Sequence, residues 1–431
     1  MRSRVRLRRP GLILLIAILC LAAGMLVYSL PPVQDRLAWR VAEWRAQIKY
    51  ALFPPAEAIF TPDPTLAAMV QSTLAAITPT ATATPPSSTP APPTITPTPT
   101  ATLLPLPPSA YLSGVQHEYE KWNNCGPATL AMTLSFWGWE GDQIPIAAFV
   151  KPNPRDKNVM PYELQSFVEQ ATGLRMIVRT GGDLELIKRL IAAGFPVMVE
   201  KGYDFPGADK GWMGHYQLVV GYDDAQERFT AYDSYTGGPN LPVPYDQLES
   251  NWRAFNFTYL IPYPPEQEEV LLSVLGEQAD EQASIQSAAL RASEEIYTLA
   301  GRDQFFAWFN RGSSLVQLQD YAGAAAAYDE AFRLQAALEP ETRPWRMLWY
   351  QTGPYWAYQY SGRYYDVISL ATSTLSAMSE PVLEESYYWR GMARNALGDV
   401  TGAVEDWRAA VNTHPGFEPA LAQLQAAGVA P

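Results

Sequence analysis

The first strong hydrophobic pattern in the chain is a run of 20 residues without a charged side chain, residues 11–30. Residues 1–10 precede it with five arginines and no acidic residue. About 20 apolar residues in a helix can span a bilayer, and flanking arginines favour the cytoplasmic side. The pattern predicts a single transmembrane anchor at residues 11–30, a cytoplasmic basic tail at residues 1–10 and an extracytoplasmic remainder. The alternative is a cleaved signal peptide.

The next segment, residues 31–60, repeats apolar side chains at helical spacing between charged ones. This pattern predicts a juxtamembrane amphipathic helix, or equally a helix that packs on the following domain. The apolar positions are Leu37, Val41, Trp44, Ile48 and Leu52.

Residues 61–108 are predicted to be a disordered linker rich in threonine and proline. Within it, residues 78–108 contain 11 prolines, 10 threonines and no charge. Such a composition cannot bury enough apolar surface to fold. As an extended chain at about 3.1 Å per residue, this stretch could hold the next domain up to about 95 Å from its anchor.

Residues 109–264 alternate between helical and strand patterns, which predicts an α+β domain. A helix is expected from Cys125 to a stop at Gly138, and five short runs of β-branched and aromatic residues are expected to be strands. The strand with His215 and the strand that ends near Asp233 are predicted to form a hairpin through residues 223–227. The other expected helices are residues 162–172 and 184–193, and the strands are residues 174–179, 196–199, 215–222, 228–232 and 258–263.

Residues 265–431 have alanine-rich helical segments with aromatic and small residues at repeated offsets, which predicts an all-α domain of tetratricopeptide-like repeats. Small residues let two helices of a unit approach, and aromatic ones fill the groove to the next unit. An irregular helical bundle is the alternative. The clearest unit has Tyr387, Gly391, Gly398, Ala403, Trp407, Ala410 and Pro415; an earlier one has Trp308, Gly312, Tyr321, Ala324, Tyr328 and Ala331.

Charge and cysteine content exclude several classes of partner and of site. The net charge is -13, so nucleic acid is not an expected partner. Only two cysteines occur, Cys20 in the apolar run and Cys125, so no disulfide framework is predicted. No cysteine and histidine spacing is typical of zinc, and no glycine-rich loop is placed to bind phosphate, so no metal and no cofactor are predicted.

Cys125 is the candidate nucleophile. It lies at a predicted helix start in the sequence Asn-Asn-Cys-Gly-Pro, where unpaired N–H groups favour a thiolate. The alternative is a buried structural cysteine. Among the three histidines, His215 is the best base because it opens an apolar strand. His117 lies in an extended approach segment, and His414 is expected to be a surface turn residue.

Asp233 is expected at the end of the partner strand, where it could orient His215. A helix that carries the cysteine and an antiparallel sheet that carries the histidine form the papain-like arrangement. Cys-Gly-Pro before an alanine-rich helix, Gly-His-Tyr before an apolar strand and Tyr-Asp-Ser before a glycine turn resemble the bacteriocin-processing double-glycine leader peptidases, family thirty-nine of the cysteine peptidases. The resemblance covers residues 111–264.

This resemblance implies a Cys125–His215–Asp233 triad that hydrolyses peptide bonds. The family usually has a glutamine six residues before its cysteine as the oxyanion donor, and here that position is Tyr119. Glu120 and Gln116 are the other oxyanion candidates.

The leading hypothesis is a membrane-anchored extracytoplasmic cysteine peptidase. Its substrate would be a peptide or protein, and its repeats would bind a protein partner. The alternatives are an inactive peptidase fold used as a binding module, and an acyl or peptidyl transferase on the same fold.

Overall fold

A computed structural model describes residues 9–28, 30–55, 60–65, 68, 72, 105–205, 211–235 and 237–431. Most of the predicted linker and residues 1–8 of the predicted basic tail lie outside these residues. The chain forms two compact units: Met1–Pro54 with Met378–Glu380, and Pro55–Ala377 with Pro381–Pro431.

The first unit contains helices α1 (Arg9–Tyr28) and α2 (Pro31–Leu52). The last turns of α2 contact Met378–Glu380: Lys49 Nζ donates to the Met378 carbonyl at 2.5 Å, and the Ser379 amide donates to the Tyr50 hydroxyl at 3.1 Å. Among the residues described, no helix is both long and apolar enough to cross a bilayer. The anchor predicted for residues 11–30 is therefore not confirmed.

The second unit contains an antiparallel sheet with strand order β2-β7-β3-β4-β5-β6, and β1 pairs with β4 beside this path. On β4, Leu218 and Val220 belong to one hydrophobic cluster and Val219 to another. Because successive strand residues point to opposite faces, the sheet carries a core on each face. The strands are β1 (Ser109–Tyr111), β2 (Arg175–Arg179), β3 (Val197–Phe205), β4 (Gly211–Asp223), β5 (Arg228–Tyr232), β6 (Leu241–Pro244) and β7 (Tyr259–Tyr263).

Five helices pack around the sheet. One core cluster joins α3 and α5 to the sheet, and the other includes buried side chains of α6 and α7. These helices are α3 (Cys125–Phe136), α4 (Gln143–Val150), α5 (Pro161–Ala171), α6 (Leu184–Ala192) and α7 (Tyr245–Arg253).

Three short elements were not predicted: β1, α4 and β6. Strand β6 contains Pro242 and Pro244, and proline weakens any strand prediction even though edge strands tolerate it. Helix α4 has Pro145 in its first turn and is capped by Asp142, whose side chain accepts from the Ile144 amide.

One expectation about the site is wrong: His215 does not open its strand. Strand β4 begins at Gly211, because β3 continues to Phe205 and pairs with it residue by residue, with Lys201 opposite His215. The predicted hairpin is confirmed, with the turn Asp224–Gln226 between β4 and β5.

From Pro265 onward the chain is helical, and most successive helices pack against one another. The expected small-to-large contacts occur: a Cβ at Gly312 would lie 2.8 Å from the Tyr328 ring, and one at Gly391 would lie 2.6 Å from the Trp407 ring. The helices are α8 (Glu268–Leu275), α9 (Glu281–Thr298), α10 (Gly301–Gln317), α11 (Tyr321–Ala337), α12 (Met347–Tyr350), α13 (Gly353–Tyr360), α14 (Tyr364–Ala377), α15 (Glu384–Ala396), α16 (Val400–Thr413) and α17 (Glu418–Ala426). A helical region is therefore confirmed, and its tetratricopeptide-like class stays a prediction.

The sheet and the helical region share one hydrophobic core. Trp212 stacks on Phe255 at 5.9 Å between ring centroids and also contacts Phe306 of α10 and Tyr350 of α12. The predicted domain boundary between residues 264 and 265 therefore does not separate two independent hydrophobic cores.

Residues 60–65 also belong to this second unit. The Phe60 ring meets the Phe332 ring edge-on at 4.9 Å between centroids, and the Asp63 amide donates to Asp366 Oδ1 at 3.0 Å. The last residue of the predicted juxtamembrane segment, Phe60, and the start of the predicted linker therefore pack on the helical region.

Candidate active site

Cys125 is the first residue of α3, as the sequence predicts. The Ala128 amide donates to the Asn124 carbonyl at 2.8 Å, which closes the first turn. Gly126 holds this turn close to the sheet, since a Cβ there would lie 3.3 Å from the Tyr216 ring and 3.5 Å from Val159. The half-buried thiol is therefore fixed at the junction of α3 and β4.

His215 and Asp233 form the next link. His215 Nε2 lies 3.1 Å from Asp233 Oδ2, and both side chains are buried. Gln217 Nε2 donates to the same oxygen at 2.9 Å, and the Tyr235 amide donates to Asp233 Oδ1 at 2.9 Å. These donors hold the carboxylate in the orientation that fixes the imidazole.

Cys125 and His215 are brought together with Glu120. One ligand atom from each lies within 4.8 Å of the other two. Since Nε2 of His215 is engaged by Asp233, Nδ1 is the ring nitrogen available to the thiol. The order thiol, imidazole, carboxylate matches the arrangement that nucleophilic catalysis needs.

The charge state of His215 follows from its partners. Burial acts to lower its pKa, but hydrogen bonds to Asp233 and Cys125 outweigh this and raise the pKa to about 10. His215 is therefore an imidazolium near neutral pH. A positive ring then lies beside the sulfur of the candidate nucleophile.

Of the three oxyanion candidates, Glu120 is the one that the structure shows near the thiol. Tyr119 is 63% exposed, and Gln116 is also exposed, while its backbone N–H donates to Ser135 Oγ at 2.9 Å. Glu120 Oε2 accepts from Ser234 Oγ at 2.8 Å, and the Glu120 amide donates to the Ser234 carbonyl at 2.8 Å. Burial raises the pKa of this carboxyl.

The other two histidines have different places. His117 Nε2 lies 2.8 Å from the Asp233 carbonyl oxygen, so it supports the segment after β5. His414 is not the surface turn residue that the sequence suggested, because its Nδ1 lies 2.8 Å from Glu384 Oε1 in a half-buried position. The prediction rested on Pro415, which marks the end of a helix but gives no information about contacts with another helix.

Sequence reasoning missed several residues near the thiol. Gln217 could have been found from strand periodicity, because residues i and i+2 of a strand share a face. Glu200 and Tyr350 line the small pocket beside Cys125 and His215, and no local motif marks them. Burial raises the pKa of Glu200 to about 8, so its carboxyl is largely neutral at pH 7.

The thiol, imidazole and carboxylate of Cys125, His215 and Glu120 are also a donor set that zinc accepts. Their spacing makes this group able to hold a metal ion as well as to act as a nucleophile and base.

Comparison with known proteins gives one family match, to the Peptidase_C39 like family over residues 111–260. A solved structure described as a candidate C39-like peptidase from Bacillus anthracis is 17% identical, with a TM-score of 0.30, over 36% of this chain and 97% of that chain. A TM-score this low carries no inference about fold. No curated protein matches the chain significantly. The family match indicates a cysteine peptidase fold of the C39-like type for residues 111–260.

Proposed function

We propose that the protein is a cysteine peptidase whose nucleophile is Cys125, whose base is His215 and whose orienting carboxylate is Asp233. The observation that carries the proposal is the chain of contacts from thiol to imidazole to buried carboxylate. The family match over residues 111–260 supports a peptide or protein as the substrate class.

In the proposed reaction, the Cys125 thiolate attacks the carbonyl carbon of a peptide bond, and the carbonyl electrons move to oxygen. The tetrahedral intermediate collapses as the C–N bond breaks, and the His215 imidazolium gives its proton to the leaving amine. Water then attacks the thioester while neutral His215 accepts its proton. The C–S bond breaks, which releases the acid and restores the ion pair.

The oxyanion is proposed to meet two donors. The Cys125 amide is available because the first amides of a helix have no partner within it. The second donor is the Glu120 carboxyl in its protonated form, which has an O–H to offer where the family usually has an amide. A buried carboxylic acid kept neutral can act in this way. Ionised Glu120 would oppose the developing charge.

The test is labelling and turnover in the full-length protein. A thiol-reactive acyl probe should label wild type at Cys125, and a peptide library should be cleaved. Cys125→Ala should abolish both, while His215→Gln should lower kcat by at least about a thousandfold, as loss of a triad member does elsewhere. Cys20→Ala is the control and should keep full labelling.

A second candidate function is a binding module without turnover, which the acidic Glu120 beside the thiol favours. Under this alternative, wild type shows no Cys125 labelling and no cleavage at any pH from 6 to 9. That result would overturn the peptidase proposal, and peptide binding without turnover would support the module.

We further propose that residues 11–30 hold the protein at the membrane with its peptidase and helical regions outside the cytoplasm. The support is the uncharged run of 20 residues after five arginines. Alkaline phosphatase fused after Pro431 should be active if this orientation is right. An inactive, stably expressed fusion would contradict it.

A further inference from the structure

A second cluster of ionisable side chains lies between the segment that joins α4 to α5 and the helical region. One ligand atom from each of Asp156, Glu384 and His414 lies within 4.8 Å of the other two. Asp156 and Glu384 are each only 3% exposed. Asp156 belongs to the segment between α4 and α5, whereas Glu384 begins α15 and His414 follows α16.

The cluster has more negative than positive groups. Glu163 and Glu385 add two further carboxyls that interact electrostatically with Glu384 and Asp156. Opposite them stand His414 and the buried ammonium of Lys151, which interacts with Asp156. Keeping several carboxylates ionised in a buried cluster with so few cations is costly, so these groups must either take up protons or share a bound cation.

Glu384 supplies an independent observation that points to a ligand. Its Oε1 lies 2.8 Å from His414 Nδ1. Its Oε2 is buried, and within the described part of the chain it has no hydrogen-bond partner. A buried carboxylate oxygen without a donor is expected to bind something, and here it belongs to a side chain already gathered with a second carboxylate and an imidazole.

We propose that Asp156, Glu384 and His414 bind a divalent metal ion, with zinc as the favoured ion. Two carboxylates and one imidazole nitrogen are ligands that zinc takes at about 2.0–2.2 Å. Three ligand atoms within 4.8 Å of one another need only a small inward movement to reach that geometry. Calcium and magnesium prefer all-oxygen sites, so the imidazole discriminates against them.

The position of this site gives it a structural consequence. The Asp156 carbonyl accepts from Asn123 Nδ2 at 3.3 Å, and Asn123 is two residues before Cys125. Asn158 and Val159 of the same segment line the pocket beside Cys125. A metal ion shared by this segment and the helical region would fix one wall of that pocket.

The test is zinc binding to the full-length protein carrying Cys125→Ala, which removes the thiol from the other donor group. Isothermal titration with zinc chloride at pH 7 after chelator treatment should show one equivalent bound. X-ray absorption should show nitrogen and oxygen ligands with one imidazole. A tenfold excess of calcium chloride should not displace the zinc.

Variants locate the ion. Glu384→Gln and His414→Gln, each added to Cys125→Ala, should weaken zinc binding at least tenfold. Glu405→Gln, an exposed site on α16, is the matched control and should leave it unchanged. The proposal is overturned if no zinc binds stoichiometrically, if absorption shows no imidazole, or if both variants bind zinc like their parent. Because the first two readouts use the parent protein, misfolding of a variant does not remove the test.

Discussion

Glu120 shows how one side chain can decide the chemistry of a site that otherwise follows a known pattern. The numbering of the motif pointed to Tyr119, but Tyr119 faces solvent and Glu120 reaches the thiol instead. The sequence offered three candidates, and the path of the chain before α3 brings one of them, Glu120, near the thiol. A shift of one residue in such a segment exchanges an exposed side chain for a buried one.

Glu120→Gln is predicted to increase turnover at neutral pH. Burial raises the pKa of the Glu120 carboxyl, so the protonated fraction of this proposed oxyanion donor falls as pH rises through that pKa. The side-chain amide of glutamine would donate a hydrogen bond at every pH. Loss of one such oxyanion donor lowers the rate about a hundredfold in other enzymes. The measurement is kcat/KM from pH 5 to 9. In wild type kcat/KM should fall as Glu120 loses its proton, and in the variant this fall should be absent.

The control for this prediction is Glu140→Gln, which changes an exposed glutamate just after α3. It should follow the wild-type pH profile. If Glu120→Gln instead lowers the rate at every pH, the carboxylate acts by stabilising the His215 imidazolium, and its proposed role as a donor is wrong.

His215 is predicted to make stability depend on pH. Its pKa is raised to about 10 against an ordinary value of 6.5, so the folded state keeps a proton that the unfolded state releases. Its contribution is complete below about pH 6.5 and is lost as pH rises towards 10.

The measurement is urea unfolding of wild type and His215→Gln from pH 6 to 10. The free energy of unfolding should fall more steeply with pH in wild type than in the variant. Equal slopes would show that the folded protein does not hold this proton.

At the scale of helices and strands, elements with a strong local pattern could be predicted, whereas elements with a weak pattern and strand ends set by pairing could not. Helices α3, α5 and α6 and strands β2, β5 and β7 lie within a residue or two of their predicted bounds. Strand β1 has three residues and little pattern to read. The extension of β4 back to Gly211 depends on pairing with β3, which is a tertiary property that no local sequence window contains.

Gly312→Ala is predicted to destabilise the pair formed by α10 and α11. Alanine favours a helix by about 1 kcal/mol over glycine, but its Cβ would lie 2.8 Å from the fully buried Tyr328 ring. Overpacking of this kind costs about 1–3 kcal/mol, so the net loss should be about 1 kcal/mol.

Chemical denaturation of the Gly312→Ala variant gives the free energy of unfolding. Gly173→Ala is the matched control, since a Cβ there meets no atom within 4 Å, and it should change stability by less than about 0.5 kcal/mol. An unchanged Gly312→Ala protein would mean that α10 and α11 can separate without cost.

At the scale of the molecule, domain boundaries read from composition did not reveal the shared core. The change in pattern near residue 265 is real, but Trp212 and Phe255 pack against aromatic side chains of the helical region. Composition cannot show which apolar faces of one region are covered by another. The candidate active site also depends on the helical region, because Tyr350 of that region lines the pocket beside the thiol.

A fragment of residues 105–264 is therefore predicted to be less stable than the full chain. Removing the helical region would expose Trp212 and Phe255, which are 3% and 2% exposed in the intact protein. The fragment should melt at a lower temperature and bind an apolar dye. Co-addition of residues 265–431 should reduce dye binding. A fragment that melts like the intact protein would show that the shared core adds little.

Phe60 changes what the threonine- and proline-rich segment can do. Residues 60–65 rest on the helical region, and at the other end the Pro107 carbonyl accepts from the Tyr222 hydroxyl at 2.8 Å. Both ends of the predicted linker therefore lie on the same compact unit. Doubling the length of a flexible loop costs only about 0.6 kcal/mol of closure entropy, so insertions between these two ends are predicted to be nearly neutral for folding. A change in the number of residues there is then predicted to leave the peptidase region in place.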